Sequence, residues 1–244
     1  MEEPVSFSFV TYNLDSQDFN FEERLYSFTD LIRKDLPDIV VIQEGRKYTY
    51  EKLGRAMSQL GYKYKILDVL KEKKTGEVIF SRYDIDSYEF IPFDINAEFE
   101  KRGVTVAQLN IMGETVVVAT TQLHSTTPIQ TKQLNTIPRI LRKYTSEGYP
   151  VVIGGDFQLS SYQRVDAPKG WEDAWYEQGT KLSTFTVDSE RNILVSPPLK
   201  DRSDRVWYNN TVSKIDCTDF EFMGVIHQPV ISTHFGIKAN FVLK

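Results

Sequence analysis

The sequence predicts a mixed α/β fold, and three observations support that prediction. Short β-branched runs bounded by turn residues recur from one end of the chain to the other. Amphipathic helical patterns lie between several of these runs. Residues 76–123, by contrast, contain consecutive strand patterns with no helix between them. Antiparallel meanders are therefore expected beside parallel crossover units, as in a mixed sheet.

The strands are predicted from apolar runs with the length of a buried or half-buried strand. The runs are rich in β-branched and aromatic side chains, which pack well on a pleated surface. The segments with this pattern are residues 5–10, 38–42, 104–109, 115–123 and 151–153. These predicted strands are distributed over most of the chain.

Helices are predicted at residues 21–34, 48–60 and 130–144. In the first, apolar side chains such as Leu25 and Phe28 recur on one face, and Pro37 stops the helix before the next strand. Gly61 closes the second helix. Pro138 lies inside the third pattern and indicates a kink or a late start.

Composition excludes several classes of protein. With 244 residues, 41% of them hydrophobic, the chain has enough apolar material for a sizeable core, which excludes disorder. Its 29 basic and 34 acidic residues give a net charge of −5, so no protein-wide positive field exists to coat long nucleic acid. A local basic pocket or a bound metal can still hold one phosphate group or one strand end.

Cysteine content and apolar patterning indicate a compartment. The single cysteine, Cys217, excludes an intramolecular disulfide. The first residues are acidic and do not resemble a signal sequence, and polar residues interrupt the most apolar stretch, residues 104–123. We find no linker and no repeat. We therefore expect one domain over residues 1–244, in an intracellular protein of the nucleus, the cytoplasm or both, which is neither secreted nor bound to a membrane.

Polar residues follow several predicted strands at the point where the strand ends: Asn13, Glu44, Asp156 and His234. Enzymes with α/β folds assemble their sites from such strand ends. Taken singly, Asn13 or Glu44 is more often the first solvated residue of a loop. Asp156 is less ordinary, because the two glycines before it let a backbone or a ligand approach closely.

Four motifs follow one another in order, at residues 11–13, 37–44, 154–158 and 232–236. In order and spacing they resemble the endonuclease/exonuclease/phosphatase superfamily over nearly the whole chain. The resemblance implies a four-layer α/β/β/α sandwich of two mixed β-sheets flanked by helices. It also implies a metal-dependent phosphodiester hydrolase, similar to the members that process DNA ends by releasing tyrosine from a 5′ phosphate.

The resemblance assigns roles to individual residues. Glu44 would ligate Mg²⁺, or Mn²⁺ as a substitute, and Asn13 would assist at the phosphate. Asp156 would orient or deprotonate the attacking water, and His234 would contact the phosphate oxygens as charge develops. Asp204 matches a further acid of the family that orients the site. The set is chemically coherent, because a hard cation prefers carboxylate oxygens and phosphoryl transfer depends on positioning and charge stabilisation.

Three positions depart from the family pattern. Gln158 stands where asparagine is usual, so the amide is kept but lengthened by one methylene. Thr233 replaces an aspartate before His234, and we expect the loss of that carboxylate to lower the pKa of His234. Gln122 stands where histidine is usual, and strand alternation predicts that His124 lies on the same face and substitutes for it.

Candidate substrate-binding residues are Arg102, Gln122, His124, Ser125, Phe185 and Thr233. Arg102 matches the position of a basic residue near the scissile group, although one arginine in residues 98–102 is usually part of a solvated turn. Phe185 and the tryptophans could stack on bases, but we expect Trp175 and Trp207 to lie in the core. The lysines at positions 71, 73 and 74 favour a solubilising hairpin tip over a DNA contact.

The expected partner is a nucleic-acid 5′ end, single-stranded and bearing a tyrosyl or protein adduct, bound by a monomer. Two alternatives remain open. A nuclease, or a phosphohydrolase of phosphoinositide or sphingomyelin headgroups, would use the same fold and chemistry. A binding protein on a weakened catalytic fold is suggested by the departures at Gln122, Gln158 and Thr233.

Overall fold

The computed structural model describes residues 4–17, 20–46, 50–66, 75–97 and 101–244. Its strands form two six-stranded sheets and one short two-stranded ribbon. Sheet one has the strand order β13-β14-β1-β2-β4-β3, and sheet two has the order β5-β6-β7-β8-β12-β9. The predicted lysine-bearing hairpin tip at residues 71–74 lies outside the described residues.

The elements follow the chain in this order: β1 Ser6–Asn13, α1 Phe21–Asp35, β2 Ile39–Arg46, α2 Tyr50–Gln59, β3 Tyr64–Ile66, β4 Thr75–Ser81, β5 Asp84–Pro92, β6 Gly103–Ile111, β7 Glu114–Gln122, α3 Thr127–Ser146, β8 Val151–Asp156, β9 Trp171–Asp173, α4 Ala174–Gln178, β10 Val187–Asp188, β11 Lys200–Asp201, β12 Asp204–Asn209, β13 Ile215–Met223 and β14 Gly236–Leu243. The predicted strands and helices are all present. Pro128 at the start of α3 extends that helix beyond the predicted start, since proline suits the first helical turn.

Three apolar clusters define the layers. One lies between the two sheets and includes Phe9 and Val41 of sheet one with Val118 and Val152 of sheet two. The second joins the outer face of sheet one to α1 and α2. The third joins the outer face of sheet two to α3. The layers are therefore helix, sheet, sheet and helix, and the predicted four-layer α/β/β/α sandwich is confirmed.

Both sheets are mixed, and each has a parallel pair at its centre. In sheet one, β1 pairs in parallel with β2, with Asn13 opposite Gln43. In sheet two, β7 pairs in parallel with β8, with Gln122 opposite Asp156, and β12 pairs antiparallel to β8, with Asp204 also opposite Asp156. The polar ends of these strands therefore lie at the same edge of the sandwich.

Gly154 and Gly155 let the two sheets approach at this edge. A Cβ atom on Gly154 would lie 2.5 Å from the ring of Phe9 in the facing sheet. A Cβ atom on Gly155 would lie 2.1 Å from the carbonyl oxygen of Thr121 in the neighbouring strand. Side chains are excluded at both positions by this packing, and Asp156 follows directly.

A buried ion-pair cluster around Asp173 stabilises β12 on the side away from β8. The Asp173 carboxylate accepts hydrogen bonds from Arg202 at 2.5 Å and from Arg205 at 3.2 Å. It also accepts from the Trp207 indole at 3.2 Å and from the backbone N–H of Trp175, which it caps at the start of α4. As predicted, Trp207 lies in the core, whereas Trp175 is only partly buried.

Asp173→Asn is expected to lower the free energy of unfolding by about 3 to 5 kcal/mol, because it leaves two buried guanidinium groups without their carboxylate. Urea denaturation followed by circular dichroism measures the change. The matched control is Asp30→Asn, which breaks exposed ion pairs on α1 and should leave the unfolding midpoint unchanged. Equal midpoints for the two variants would contradict this account.

Within the described residues, no helix combines the length and apolar character needed to cross a membrane.

Candidate active site

The amide of Asn13 joins the two sheets at their common edge. Its Nδ2 donates to Asp156 Oδ2 at 2.8 Å and to Glu44 Oε1 at 3.3 Å. Asn13 is the last residue of β1 and Glu44 lies in β2, both strands of sheet one. Asp156 is the last residue of β8 in sheet two. Three of the predicted site residues therefore lie in one hydrogen-bonded group.

Glu44 reaches this group because β2 is irregular. The register with β4 shifts between Ile42 and Gly45, and Glu44 has a φ of 58°, in the left-handed region. Its Oε2 accepts from the backbone N–H of Ser16 at 2.8 Å, and its Oε1 accepts from Gln122 Nε2 at 2.7 Å. Burial raises the pKa of Glu44, but the hydrogen bonds from Ser16, Gln122 and Asn13 outweigh it and lower the pKa below its ordinary value. The carboxylate therefore stays anionic.

Asp156 is fully buried and accepts four hydrogen bonds. Oδ1 accepts from the backbone N–H of Gln158 at 2.9 Å and from Ser203 Oγ at 2.5 Å. Oδ2 accepts from Asn13 and from the side-chain amide of Gln158. Gln158 itself has a φ of 53°, which turns its amide back onto the carboxylate. These four donors fix the orientation of Asp156.

His234 and Asp204 form a second pair beside Asp156. His234 Nδ1 lies 2.8 Å from Asp204 Oδ2, and both groups are largely buried. Burial lowers the pKa of His234, but the charge and hydrogen bond of Asp204, helped by Asp156 and Glu44, outweigh it and raise the pKa to about 10. The expectation that Thr233 would lower this pKa is wrong, because Asp204 supplies the carboxylate partner from β12.

Thr233 contacts the loop after β1 instead. Its Oγ1 donates to Asp15 Oδ2 at 2.8 Å. The Asp15 backbone N–H in turn donates to Asn13 Oδ1 at 2.8 Å. Asp15 has a φ of 48° and lines the same cleft as Glu44. A carboxylate is thus present next to Thr233, although the chain lacks one at position 233 itself.

The side chains of Asp15, Glu44, Thr233 and His234 line a cleft of about 540 Å³. Its acidic lining residues are Asp15, Glu44 and Asp201, and His234 is the basic one. An apolar part of the wall is formed by Val187, Leu194, Val195 and Leu199. No lysine or arginine lines the cleft within the part of the chain that the structure describes. Among the described lining residues, the positive charge of the cleft is therefore carried by the imidazole of His234.

The predicted substrate residues fall into two groups. Ser125 and Thr233 line the cleft, and Gln122 reaches it through Glu44. Arg102 lies behind Gln122 and donates to the carbonyl oxygens of Gln122 and Leu123. Phe185 is half-buried and does not line the cleft. Arg102 therefore stabilises the C-terminal end of β7 through these backbone hydrogen bonds.

His124 follows the end of β7, and its substitution for Gln122 stays a prediction. Strand β7 ends at Gln122. His124 belongs to the turn into α3, where its Nδ1 accepts from the backbone N–H of Thr126 at 2.8 Å and its own N–H donates to Gln133. Gln122 contacts the carboxylate of Glu44 directly.

Two site residues escaped sequence reasoning. Ser203 donates to Asp156, and Asp15 contacts Thr233. Asp15 stands two residues after Asn13, a spacing that a strand end followed by a tight turn could have indicated. Ser203 lies in the segment around Asp204 that supports the family resemblance, but its side chain was given no role, since the pairing of β12 with β8 is what brings it to Asp156.

The donor set suits a hard divalent cation. Ligand atoms of Asp156, Asp204 and His234 all lie within 4.8 Å of one another. Asp204 Oδ1 is buried and has no hydrogen-bond partner among the described residues. Glu44 adds an anionic carboxylate at the cleft. Oxygen-rich anionic sites of this kind favour Mg²⁺ or Mn²⁺.

The layered fold and the strand-end residues resemble those of the endonuclease/exonuclease/phosphatase proteins. The comparisons bear out this resemblance. No family model matches the chain. Human tyrosyl-DNA phosphodiesterase 2 is 25% identical over 252 residues, covering 96% of this chain and 67% of the relative.

Solved structures agree on the fold. Tyrosyl-DNA phosphodiesterase 2 of D. rerio, in a complex with single-strand DNA product, superimposes with a TM-score of 0.82 at 20% identity, over 97% of this chain and 98% of that chain. An endonuclease/exonuclease/phosphatase from Beutenbergia cavernae gives a TM-score of 0.73 at 18% identity, over 98% and 72%. The chain therefore has this fold throughout most of its length.

Ser203→Ala is expected to reduce kcat for phosphodiester hydrolysis roughly tenfold, because Asp156 loses one of four hydrogen bonds to a buried carboxylate. Steady-state kinetics measures the change. Ser87→Ala is the matched control, since Ser87 is exposed on β5 and bonds to Gln108. A Ser203→Ala enzyme as fast as the control would exclude Ser203 from positioning Asp156.

The imidazole of His234 is expected to remain protonated beyond pH 8, and NMR titration of the three histidines tests this. Because folding raises this pKa, the charged ring stabilises the fold fully below pH 6.5, its ordinary value. That contribution is lost as the pH rises through about 10. In Asp204→Asn the pKa should fall. An unchanged titration in that variant would show that Asp204 is not the cause.

Proposed function

We propose that this protein is a Mg²⁺-dependent phosphodiesterase that hydrolyses a 5′-phosphotyrosyl bond at a nucleic-acid end, as in DNA end repair. The observation that carries the proposal is the convergence of Asn13, Glu44, Asp156 and His234 at one edge of the sandwich, beside a cleft that Glu44 and His234 line. The similarity to tyrosyl-DNA phosphodiesterase 2 supports this substrate, since that relative is named for tyrosyl-DNA. The D. rerio structure with its single-strand DNA product supports a nucleic-acid end as the partner.

Glu44, whose carboxylate is anionic and lines the cleft, would hold the cation. A bound Mg²⁺ supplies Lewis-acid charge at a phosphate oxygen. Mn²⁺, with similar ligand preferences, is expected to substitute. The hydrogen bonds from Ser16, Asn13 and Gln122 keep Glu44 anionic and pointed toward the cleft.

The chain's own residues account for the hydrolysis. Asp156 orients a water molecule and accepts its proton as the water oxygen bonds to phosphorus. The Gln158 amide must first leave Asp156 Oδ2, since the carboxylate accepts four hydrogen bonds in this structure. The protonated His234 donates to a phosphate oxygen as negative charge grows there. The bond from phosphorus to the tyrosyl oxygen breaks, which leaves a 5′ phosphate. The tyrosine departs as a phenolate and takes a proton from the solvent.

The charge of the cleft limits the partner. With acidic residues on its lining and no described lysine or arginine, the cleft suits one terminal phosphate better than a continuous duplex backbone. A single-stranded end that bears a tyrosyl or protein adduct presents such a terminal phosphate. The proposed binding species is a monomer. The protein is proposed to act inside the cell, in the nucleus, the cytoplasm or both.

One observation favours a weakened enzyme as the second candidate. The side-chain amide of Gln158, one methylene longer than the asparagine of the family pattern, donates to Asp156 and takes up one of its oxygens. A protein in which this contact persists would bind a strand end and the cation without turnover.

The test is release of tyrosine from a 5′-phosphotyrosyl oligonucleotide, with Mg²⁺ and with chelator. We expect cation-dependent release, and a loss of at least about a hundredfold in Asp156→Ala and in Glu44→Ala, because general base and cation ligand are removed. Asp86→Ala, an exposed acid on β5, is the matched control and should retain full activity.

The same enzyme is assayed on a plain oligonucleotide and on a phosphoinositide. Faster turnover of either one would replace the proposed substrate with that one. Cation binding by calorimetry, without turnover of any of the three substrates, would establish the weakened binding protein.

A further inference from the structure

We propose that Arg24 is a positioning residue, which clamps the two loops that carry the catalytic groups and so sets the geometry of the cation and phosphate site. The proposal rests on the function proposed above. Arg24 lies in the first turns of α1, outside the cleft, and its side chain is 5% exposed. An arginine buried to this degree near a helix start requires a set of acceptors.

Arg24 finds those acceptors on the backbone of both loops. Nη1 donates to the carbonyl oxygens of Leu14 at 2.8 Å and Ile231 at 3.1 Å. Nη2 donates to the carbonyl oxygens of Asp15 and Gln17, both at 2.8 Å. One planar guanidinium thus holds four carbonyl groups, three after β1 and one before β14.

Both clamped loops touch the site directly. In the first loop, the Ser16 N–H donates to Glu44, and Asp15 accepts from Thr233. In the second loop, Ser232 Oγ donates to the Asn13 carbonyl oxygen at 2.7 Å and accepts from the N–H of His234 at 3.1 Å. A shift of either loop therefore moves Glu44 and His234 relative to each other.

The backbone of the first loop indicates that it is held in place. Asp15 has a φ of 48°, a conformation that costs an aspartate free energy, although less than it costs most residues. This turn brings the carbonyl groups on both sides of Asp15 to Arg24. The guanidinium offsets that cost.

The charge of Arg24 acts in the same direction. Burial lowers the pKa of Arg24, and the nearby charges of Asp15 and Glu44 oppose that effect. Arg24 thus sits beneath an acidic cleft as a fixed cation, without reaching the substrate itself.

Lysine cannot reproduce this arrangement. An ammonium group is a point charge with three donors, whereas the guanidinium presents five donors in a rigid plane. Arg24→Lys keeps the charge and removes the clamp, and Arg24→Gln removes both. The pair therefore separates geometry from charge. Ile32→Val, a fully buried position on the same helix, is the control for loss of stability alone.

The experiment measures three quantities for each variant: the thermal unfolding midpoint, the dissociation constant of Mn²⁺ bound to the protein alone, and kcat and KM on the 5′-phosphotyrosyl oligonucleotide. We expect kcat to fall about tenfold in Arg24→Lys and about a hundredfold in Arg24→Gln, with KM within about twofold. We expect Mn²⁺ to bind several-fold more weakly in both. Ile32→Val should change only the midpoint.

A lower midpoint in Arg24→Lys with wild-type kcat and wild-type Mn²⁺ affinity would overturn the proposal, since Arg24 would then serve the fold alone. If Arg24→Gln does not fold, Arg24→Lys decides. If the wild-type protein turns over none of the substrates, the proposed function fails, and the Mn²⁺ affinities still decide whether Arg24 shapes the site.

Discussion

The hydrogen bonds of the Asn13 amide hold the two halves of the sandwich in register at the edge where the chemistry lies. One nitrogen donates both to Asp156 of sheet two and to Glu44 of sheet one. Between the sheets lies a cluster of apolar side chains, which fill space but do not specify a position to within a fraction of an ångström. The polar contacts of Asn13, together with those from Gln122 to Glu44 and from Gln43 to Thr120, supply that precision.

The same edge concentrates negative charge. Asp15, Glu44, Asp156 and Asp204 all lie there, in a protein whose net charge is already −5. Such a group of carboxylates is stable only with donors and cations around it. The fold provides backbone N–H groups, amides, one imidazolium and, beneath the cleft, the guanidinium of Arg24. A bound divalent ion would complete the balance.

Much of the fold could be predicted from the sequence, because strands and helices follow from local apolar periodicity. The polar strand ends were likewise visible at Asn13, Glu44 and Asp156. Contacts that depend on strand pairing were not visible: Ser203 reaches Asp156 only through the pairing of β12 with β8. The pKa of His234 was misjudged for the same reason, since its partner Asp204 lies 30 residues away in sequence.

Asp15, Glu44 and Gln158 share an unusual backbone conformation, with φ between 48° and 58°. Each of them is a side chain at the site, in a conformation that glycine adopts without strain. Local strain is therefore present where the candidate chemistry lies, as it is at Asn20, Leu36, Met112 and Ser213 elsewhere in the described residues. Sequences optimised for thermal resistance and sequences optimised for turnover should accordingly diverge at these three positions before they diverge in the core.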